Sequence, residues 1–276
     1  MERRKLKKSA FLALISALVA LITLVSSTYA WFTFHAYTNV TPLAGTISGG
    51  DGVLLIANRE DGKFDVSCQL ALRNPDAELL PISTADLKHF YRVTNQNKNG
   101  IATAYAEDNQ RARDHSLNGT VYLKAVDTGF DVYLWLPSIY CGSNSQALAA
   151  MRLGMTVTTA DGKHSYIFSL DELGNTTGAS SKQTIPVAGQ VVGGVLQSGE
   201  AKYQEDPAAK LSDYAAGGTA DDVTPGKHHI CVLAENEVAR VDYWLYLEGC
   251  DDNCINTVQG REIALQLGFG GVQNER

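Results

Sequence analysis

Short runs in which apolar and polar residues alternate recur along this chain, and they constrain its fold more than any other feature. Between Gly62 and Arg73, every second residue from Phe64 to Leu72 is apolar. Alternation with a period of two residues is typical of an antiparallel strand with one face buried. Runs of this kind, separated by Gly and Asp, predict an all-β protein.

Two pairs of strand candidates are joined by short loops that contain Gly, which is typical of β-hairpins. The first pair is residues 120–126 with 130–136, and the second is residues 151–159 with 164–170, around Asp161-Gly162. Further strand candidates lie at residues 52–58, 229–233, 238–247 and 261–269. Strands at this spacing favour a single antiparallel β-sandwich or barrel.

Residues 31–276 are expected to form one domain, because about 200 to 250 residues is ordinary for a sandwich. Within it, residues 171–226 are rich in Gly, Ala, Ser and Asp and contain little core material. We expect a long loop insertion there, and a strand within it near residues 185–195, since structureless loops of such length are uncommon. The insertion is either a tolerated surface loop or a surface that binds a partner.

The N-terminus has the order of a secretory signal. Basic residues 3–8 precede an uncharged apolar run, residues 9–25, and small or polar residues follow before Tyr29-Ala30. This order is typical of a signal peptide. We expect residues 1–30 to form a signal helix that is removed between Ala30 and Trp31. The alternative is a retained segment that anchors the protein in a membrane, since the apolar run is close to the length of a span.

The rest of the chain is acidic. Beyond residue 30 it has 18 basic and 29 acidic side chains, a formal net charge of −11. A folded part with this balance lacks the basic surface that nucleic acids and anionic lipids require. We therefore expect no nucleic-acid partner, and membrane contact only through the signal segment before cleavage.

Sequence motifs of the common enzyme classes are missing. The six histidines show no H-E-x-x-H spacing, and the sequence contains no G-x-S-x-G elbow, P-loop or dinucleotide-binding glycine pattern. We assign no catalytic residue, expect no enzyme activity and propose no metal ligands apart from calcium.

The calcium candidates follow the strand candidate at residues 238–247. Glu248, Asp251, Asp252 and Asn253 supply the oxygen atoms that calcium prefers, although without EF-hand spacing. The alternative is an acidic turn at the end of a strand. Two of the five cysteines, Cys250 and Cys254, flank these residues and are candidates for a disulfide.

The segment that cleavage would expose, residues 31–40, is aromatic and β-prone. In an extended chain, Phe32, Phe34, Ala36 and Val40 share one face. Such a strand can pair with a neighbouring chain by β-augmentation. It can equally pair within its own sandwich, and the residues alone leave both options open.

Two stretches resemble a known family. Residues 27–33, Ser-Thr-Tyr-Ala-Trp-Phe-Thr, resemble the cleavage junction of Gram-positive exported proteins processed by SipW-type signal peptidases, the group of TasA and camelysin. Residues 243–249, followed by Asp251, Asp252, Cys254 and Asn256, are similar to a second stretch of these proteins. Together the two stretches cover about a tenth of the chain.

The resemblance implies an exported jelly-roll β-sandwich that acts at the cell surface or in a biofilm matrix, often as a fibre subunit. Its implied partners are the SipW-type signal peptidase and either further copies of itself or other matrix and surface proteins. TasA-like fibres also imply assembly through N-terminal strands. Three alternatives remain: a camelysin-like metal endopeptidase, a sandwich that binds ligands through calcium, and a membrane-retained monomer.

Overall fold

The computed structural model describes residues 43–44, 53–74, 79–96, 102–136, 139–141, 145–174, 184–186, 196–197, 203–219, 222–254 and 265–274. The predicted signal segment and the aromatic segment at residues 31–40 lie outside these ranges. No helix within the described ranges has the length and apolar character needed to cross a membrane.

The described structure is built mostly from strands. In chain order they are β1 (Leu43–Ala44), β2 (Val53–Ala57), β3 (Pro81–Ser83), β4 (Tyr91–Gln96), β5 (Ala102–Glu107), β6 (Leu117–Val126), β7 (Gly129–Trp135), β8 (Tyr140–Cys141), β9 (Met151–Thr159), β10 (Gly162–Ser169), β11 (Thr184–Pro186), β12 (Leu196–Gln197), β13 (Tyr203–Glu205), β14 (Ala209–Lys210), β15 (Ala215–Thr219), β16 (Asp222–Thr224), β17 (Cys231–Leu233), β18 (Val238–Glu248), β19 (Leu265–Gln266) and β20 (Gly268–Asn274). Short α-helices span Asn109–Asp114, Ser145–Ala150 and Leu211–Tyr214, and Asp171–Leu173 form a 3₁₀ turn. The prediction of an all-β protein is confirmed.

Two large sheets dominate the fold. The ten-stranded sheet runs β12-β5-β4-β3-β18-β9-β10-β14, with β6 also paired to β18 and β2 paired to β6. The six-stranded sheet runs β1-β20-β7-β15-β16, with β17 also paired to β7. Both sheets are mixed, because β18 pairs with β3, β10 with β14, β7 with β15 and β1 with β20 in parallel. The expectation of a purely antiparallel arrangement is therefore wrong.

The two sheets share one apolar core. Val121 and Leu123 of β6 belong to the same buried cluster as Val132 and Leu134 of β7, although the strands lie in different sheets. In β6 the buried residues alternate with half-buried ones from residue 119 onwards. The period-two pattern of β6 therefore reflects one face that is buried in the shared core and one that is partly exposed.

One predicted hairpin is wrong and the other is confirmed. Strands β6 and β7 follow each other in sequence but pair in different sheets, so Asp127-Thr128 is a link between sheets. Their apolar faces meet across the core instead of lying side by side. Strands β9 and β10 form the second hairpin, with Thr159 paired to Gly162.

The strand predicted at residues 62–73 is also wrong. This segment makes only isolated bridges, from Asp65 to Ile56 and from Leu72 to Gly119. Its alternation does reflect burial in part, because Leu70 is buried and Leu72 packs against the core. A segment can thus face the core with every second side chain without forming a continuous ladder.

The described parts of the insertion at residues 171–226 contribute to both large sheets. Strand β14 pairs with β10 of the ten-stranded sheet, and β15 pairs with β7 of the six-stranded sheet. Between them, Leu211 is fully buried in the main core. This part of the insertion is therefore integrated into the fold.

Candidate functional site

A fully buried arginine lies near the start of β9. Arg152 follows the helix Ser145–Ala150 almost directly, so its guanidinium reaches back to the end of that helix. Nη1 donates to the carbonyl oxygens of Ala149 at 2.9 Å and of Met151 at 3.0 Å. The charged group therefore satisfies carbonyl groups that the helix terminus leaves without intrahelical partners.

Two carboxylates distant in sequence neutralise this charge. The Asp206 Oδ2 atom accepts from Arg152 Nε at 3.1 Å and Nη2 at 2.8 Å, and the Asp251 Oδ2 atom accepts from Nη2 at 2.8 Å. Burial alone would lower the pKa of Arg152, but Asp206 and Asp251 outweigh it and the pKa is raised. The arginine is thus charged and joins three separate chain segments. We call Arg152, Asp206, Glu248 and Asp251 the Arg152 cluster.

The predicted calcium ligands lie partly in this cluster. Asp251 Oδ1 accepts from the backbone N and from Nδ2 of Asn253, both at 2.9 Å, while its other oxygen faces Arg152. Asp252 is exposed. Within the described ranges, no group of three or more His, Cys, Asp or Glu side chains is placed to hold a metal ion. The calcium site stays a prediction, and a cation at Asp251 would compete with the guanidinium.

Glu248 is buried beside the ion pairs, at the end of β18. Its Oε1 atom accepts from the backbone N of Cys250 at 3.1 Å, whereas Oε2 has no hydrogen-bond partner within the described structure. Burial, and then the charge of Asp206, raise the pKa of Glu248 to about 8. Burial and the neighbouring Asp206 charge therefore favour the protonated form of this carboxyl group.

The predicted disulfide between Cys250 and Cys254 is not formed. All five cysteines lie in the described ranges, and all are free thiols. Cys250 packs with Tyr91 and Tyr105, and its Sγ lies 3.0 Å from the Tyr105 hydroxyl. Cys254 belongs to the main core instead. Burial raises the pKa of both thiols, so neither is activated as a thiolate.

In the ten-stranded sheet, most of one edge of β10 is open among the described strands. Strand β10 pairs with β9 along its whole length, but on its other side β14 pairs only with Phe168 and Ser169. No described strand pairs with that side at residues 162–167. Because the hairpin closes at Gly162, the backbone groups of Lys163, Ser165 and Ile167 point away from β9.

Aromatic side chains flank this edge. The rings of Tyr166 and Phe168 each lie 5.4 Å from the ring of Tyr214, between centroids. Cavities of about 140 Å³ and about 160 Å³ both touch Tyr166. Leu87, Ile167, Pro207 and Ala209 contribute to the first, and His164 and His229 contribute to the second. The edge therefore combines backbone groups that no described strand pairs with two recesses of mixed polar and apolar lining.

Comparison with known proteins gives no assignment. No family model, no curated protein and no solved structure matches this chain. The resemblance to TasA and camelysin therefore depends on its own two stretches. Its junction and strand-donor residues lie outside the described ranges: Ala30, Trp31, Phe32, Phe34, Ala36 and Val40.

The residues that organise the Arg152 cluster and the β10 edge are not among those that the sequence patterns single out. Arg152 carries the one charge in the otherwise apolar start of β9, and that isolated charge is a signal that could have indicated a buried pair. Asp206 has no comparable signal, because it is one acid among many in the insertion. Tyr166 was visible only as part of a strand candidate.

Proposed function

We propose that this protein is an exported surface or matrix protein of jelly-roll type, whose mature N-terminal strand pairs with the next copy. The cleavage junction at Ala30 and Trp31 supports export. The shared core of the two large sheets supports a sandwich. We further propose that a SipW-type signal peptidase releases the chain, and that further copies or other matrix proteins are its partners.

The observation that carries the proposal is the open edge of β10. Six consecutive residues, 162–167, have no described strand on one side, and Lys163, His164 and Ser165 are exposed. An edge of this kind is a template for an added strand. The recesses beside Tyr166 would receive apolar side chains such as Phe32 and Phe34 of the added strand.

The place of the donor segment in the sequence, just before an edge strand, is compatible with assembly into fibres. The segment at residues 31–40 precedes β1 by two residues, and β1 is at one edge of the six-stranded sheet. At the opposite side of that sheet, β17 follows Ile230, whose carbonyl accepts from the Tyr166 hydroxyl at 2.8 Å. A donor segment that pairs with the β10 edge of the next copy makes a head-to-tail contact, and contacts of this kind generate open filaments.

Negative-stain microscopy of residues 31–276 beside residues 41–276 tests the proposal. We expect filaments from the longer chain only, with matching circular dichroism spectra as the control for folding. Monodisperse particles from both chains would exclude assembly by this protein alone.

The edge itself is tested by Ser165→Pro, which removes an outward backbone donor, against Ser165→Ala, which keeps it. We expect the proline variant alone to stop filament growth. Equal growth of both variants would exclude β10 as the receiving edge. Intact mass of the native protein tests export separately, and the expected first residue is Trp31.

A further inference from the structure

One end of the β10 edge is covered by a short part of the insertion. Residues 206–210, here the cover segment, include β14, which pairs with Phe168 and Ser169. Pro207 and Ala209 of the cover segment also line the smaller cavity beside Tyr166. The cover segment therefore occupies both the edge and the recess at that end.

The two ends of the cover segment are held much more firmly than its middle. At one end, the Asp206 side chain is 7% exposed and bonded to Arg152, and just beyond the other end Leu211 is fully buried. Between them, Pro207 and Lys210 are exposed, and Ala208 and Ala209 are only partly buried. The middle is held by its two-residue pairing with β10 and by the partial packing of Ala208 and Ala209 against the apolar clusters. Once Asp206 is free, displacement at that end is opposed only by these contacts among the described ones.

We propose that the Arg152–Asp206 ion pair is a latch that holds the cover segment on the β10 edge. Its release lengthens the open edge from residues 162–167 to residues 162–169 and uncovers the recess beside Tyr166. This inference depends on the proposed function, in which that edge receives a strand from a second copy. The arriving strand and β14 compete for the same backbone groups of β10.

The geometry allows this pair to open without the rest of the Arg152 cluster. When Asp206 leaves, Arg152 keeps its bonds to Asp251 and to the carbonyl groups of Ala149 and Met151. Asp206 belongs to a partly exposed segment, so its carboxylate can move into water. Neither charge is then left buried without a partner, which is the costly outcome for an ion pair of this kind.

Hydrogen–deuterium exchange on the mature chain tests the latch in the monomer. We compare Asp206→Ala with Asp213→Ala, which removes an acid of the same insertion from an exposed pair with Lys227. We expect the amides of Ser169 and Ala209, which lie between β10 and β14, to exchange at least about tenfold faster in Asp206→Ala, with β6 unchanged. Unchanged exchange at these amides, or an equal rise in β6, would overturn the latch.

Seeded filament growth then separates the latch from the proposed function. With the latch open, we expect Asp206→Ala to elongate several-fold faster than the unmodified chain and Asp213→Ala to match it. Faster local exchange without faster elongation, in a chain that does form filaments, would overturn the role of the cover segment. If no variant forms filaments, the proposed function fails, and the exchange result alone decides whether the latch exists.

Discussion

Strand β18 has an ion network near each end, and the two networks differ in their access to water. Near its start, Asp242 accepts from Arg240 at 2.9 Å and lies 3.6 Å from Arg73, and about half of each arginine side chain is exposed. Near its end, the side chains of Arg152 and Asp251 are 0% exposed. Arginine–aspartate pairs near the start of β18 are therefore partly exposed to water, whereas those near its end are buried.

Burial decides what each of the two networks contributes to the protein. Water can replace either arginine of the first network, because about half of each side chain is exposed, so the contribution of these pairs to stability is small. In the Arg152 cluster, loss of the arginine leaves the Asp251 carboxylate buried without its counter-charge, so the guanidinium is obligatory. The exposed network adds a small amount of stability at the surface. The buried network holds three chain segments together through Arg152, Asp206 and Asp251.

The largest effect is expected from Arg152→Met, which removes the buried cation. Asp251 and Asp206 then lose their counter-charge, and we expect the free energy of unfolding to fall by about 3–5 kcal/mol. Urea unfolding followed by circular dichroism measures this. A loss below about 1 kcal/mol would mean that the two ends of β18 are equivalent.

The variant Glu248→Gln tests the buried end of β18 through the pH dependence of stability. The pKa of Glu248 is raised from 4.5 to about 8, so the folded protein holds this proton more tightly than the unfolded chain does. Stability from this group is therefore present at low pH and declines as pH rises from about 4.5 to about 8, by at most about 1.4 kcal/mol per pH unit. Urea midpoints at pH 5 and pH 8 should differ less in the glutamine variant; an identical difference would exclude Glu248 as the cause.

The smallest effect is expected from Arg240→Ala, in the exposed network. Asp242 keeps Thr120, whose hydroxyl lies 2.6 Å away, and water replaces the guanidinium. We expect a loss of about 0.2–1 kcal/mol that shrinks as salt is added. A loss as large as that of Arg152→Met, measured in the same way, would contradict the comparison.

Elements with a local signal could be predicted from the sequence. Strand β18 was expected at residues 238–247 and spans Val238–Glu248, and the β9–β10 hairpin was expected from its alternation and its turn residues. No local pattern in the sequence indicates which strand a given strand will pair with. Strands β6 and β7 were therefore assigned to one hairpin, although the structure places them in different sheets.

The candidate site could also be predicted only in part from the sequence. The acidic turn after β18 was recognisable from Asp251 to Asn253, and it was interpreted as a calcium site. The residue that faces Asp251 is Arg152, which lies 99 positions earlier, and Asp206 comes from the insertion. No spacing rule connects residues so far apart, because long-range packing brings them together.

The all-β character and the acidic balance follow from the periodicity and the charge of the sequence, and its residue order predicts the signal-like junction. Only the tertiary structure decided which carboxylates are buried beside Arg152, which cysteines stay apart and which edge of β10 stays open among the described strands. Periodicity shows which face of a strand is apolar, but the partner of that face is chosen by the packing of the whole chain.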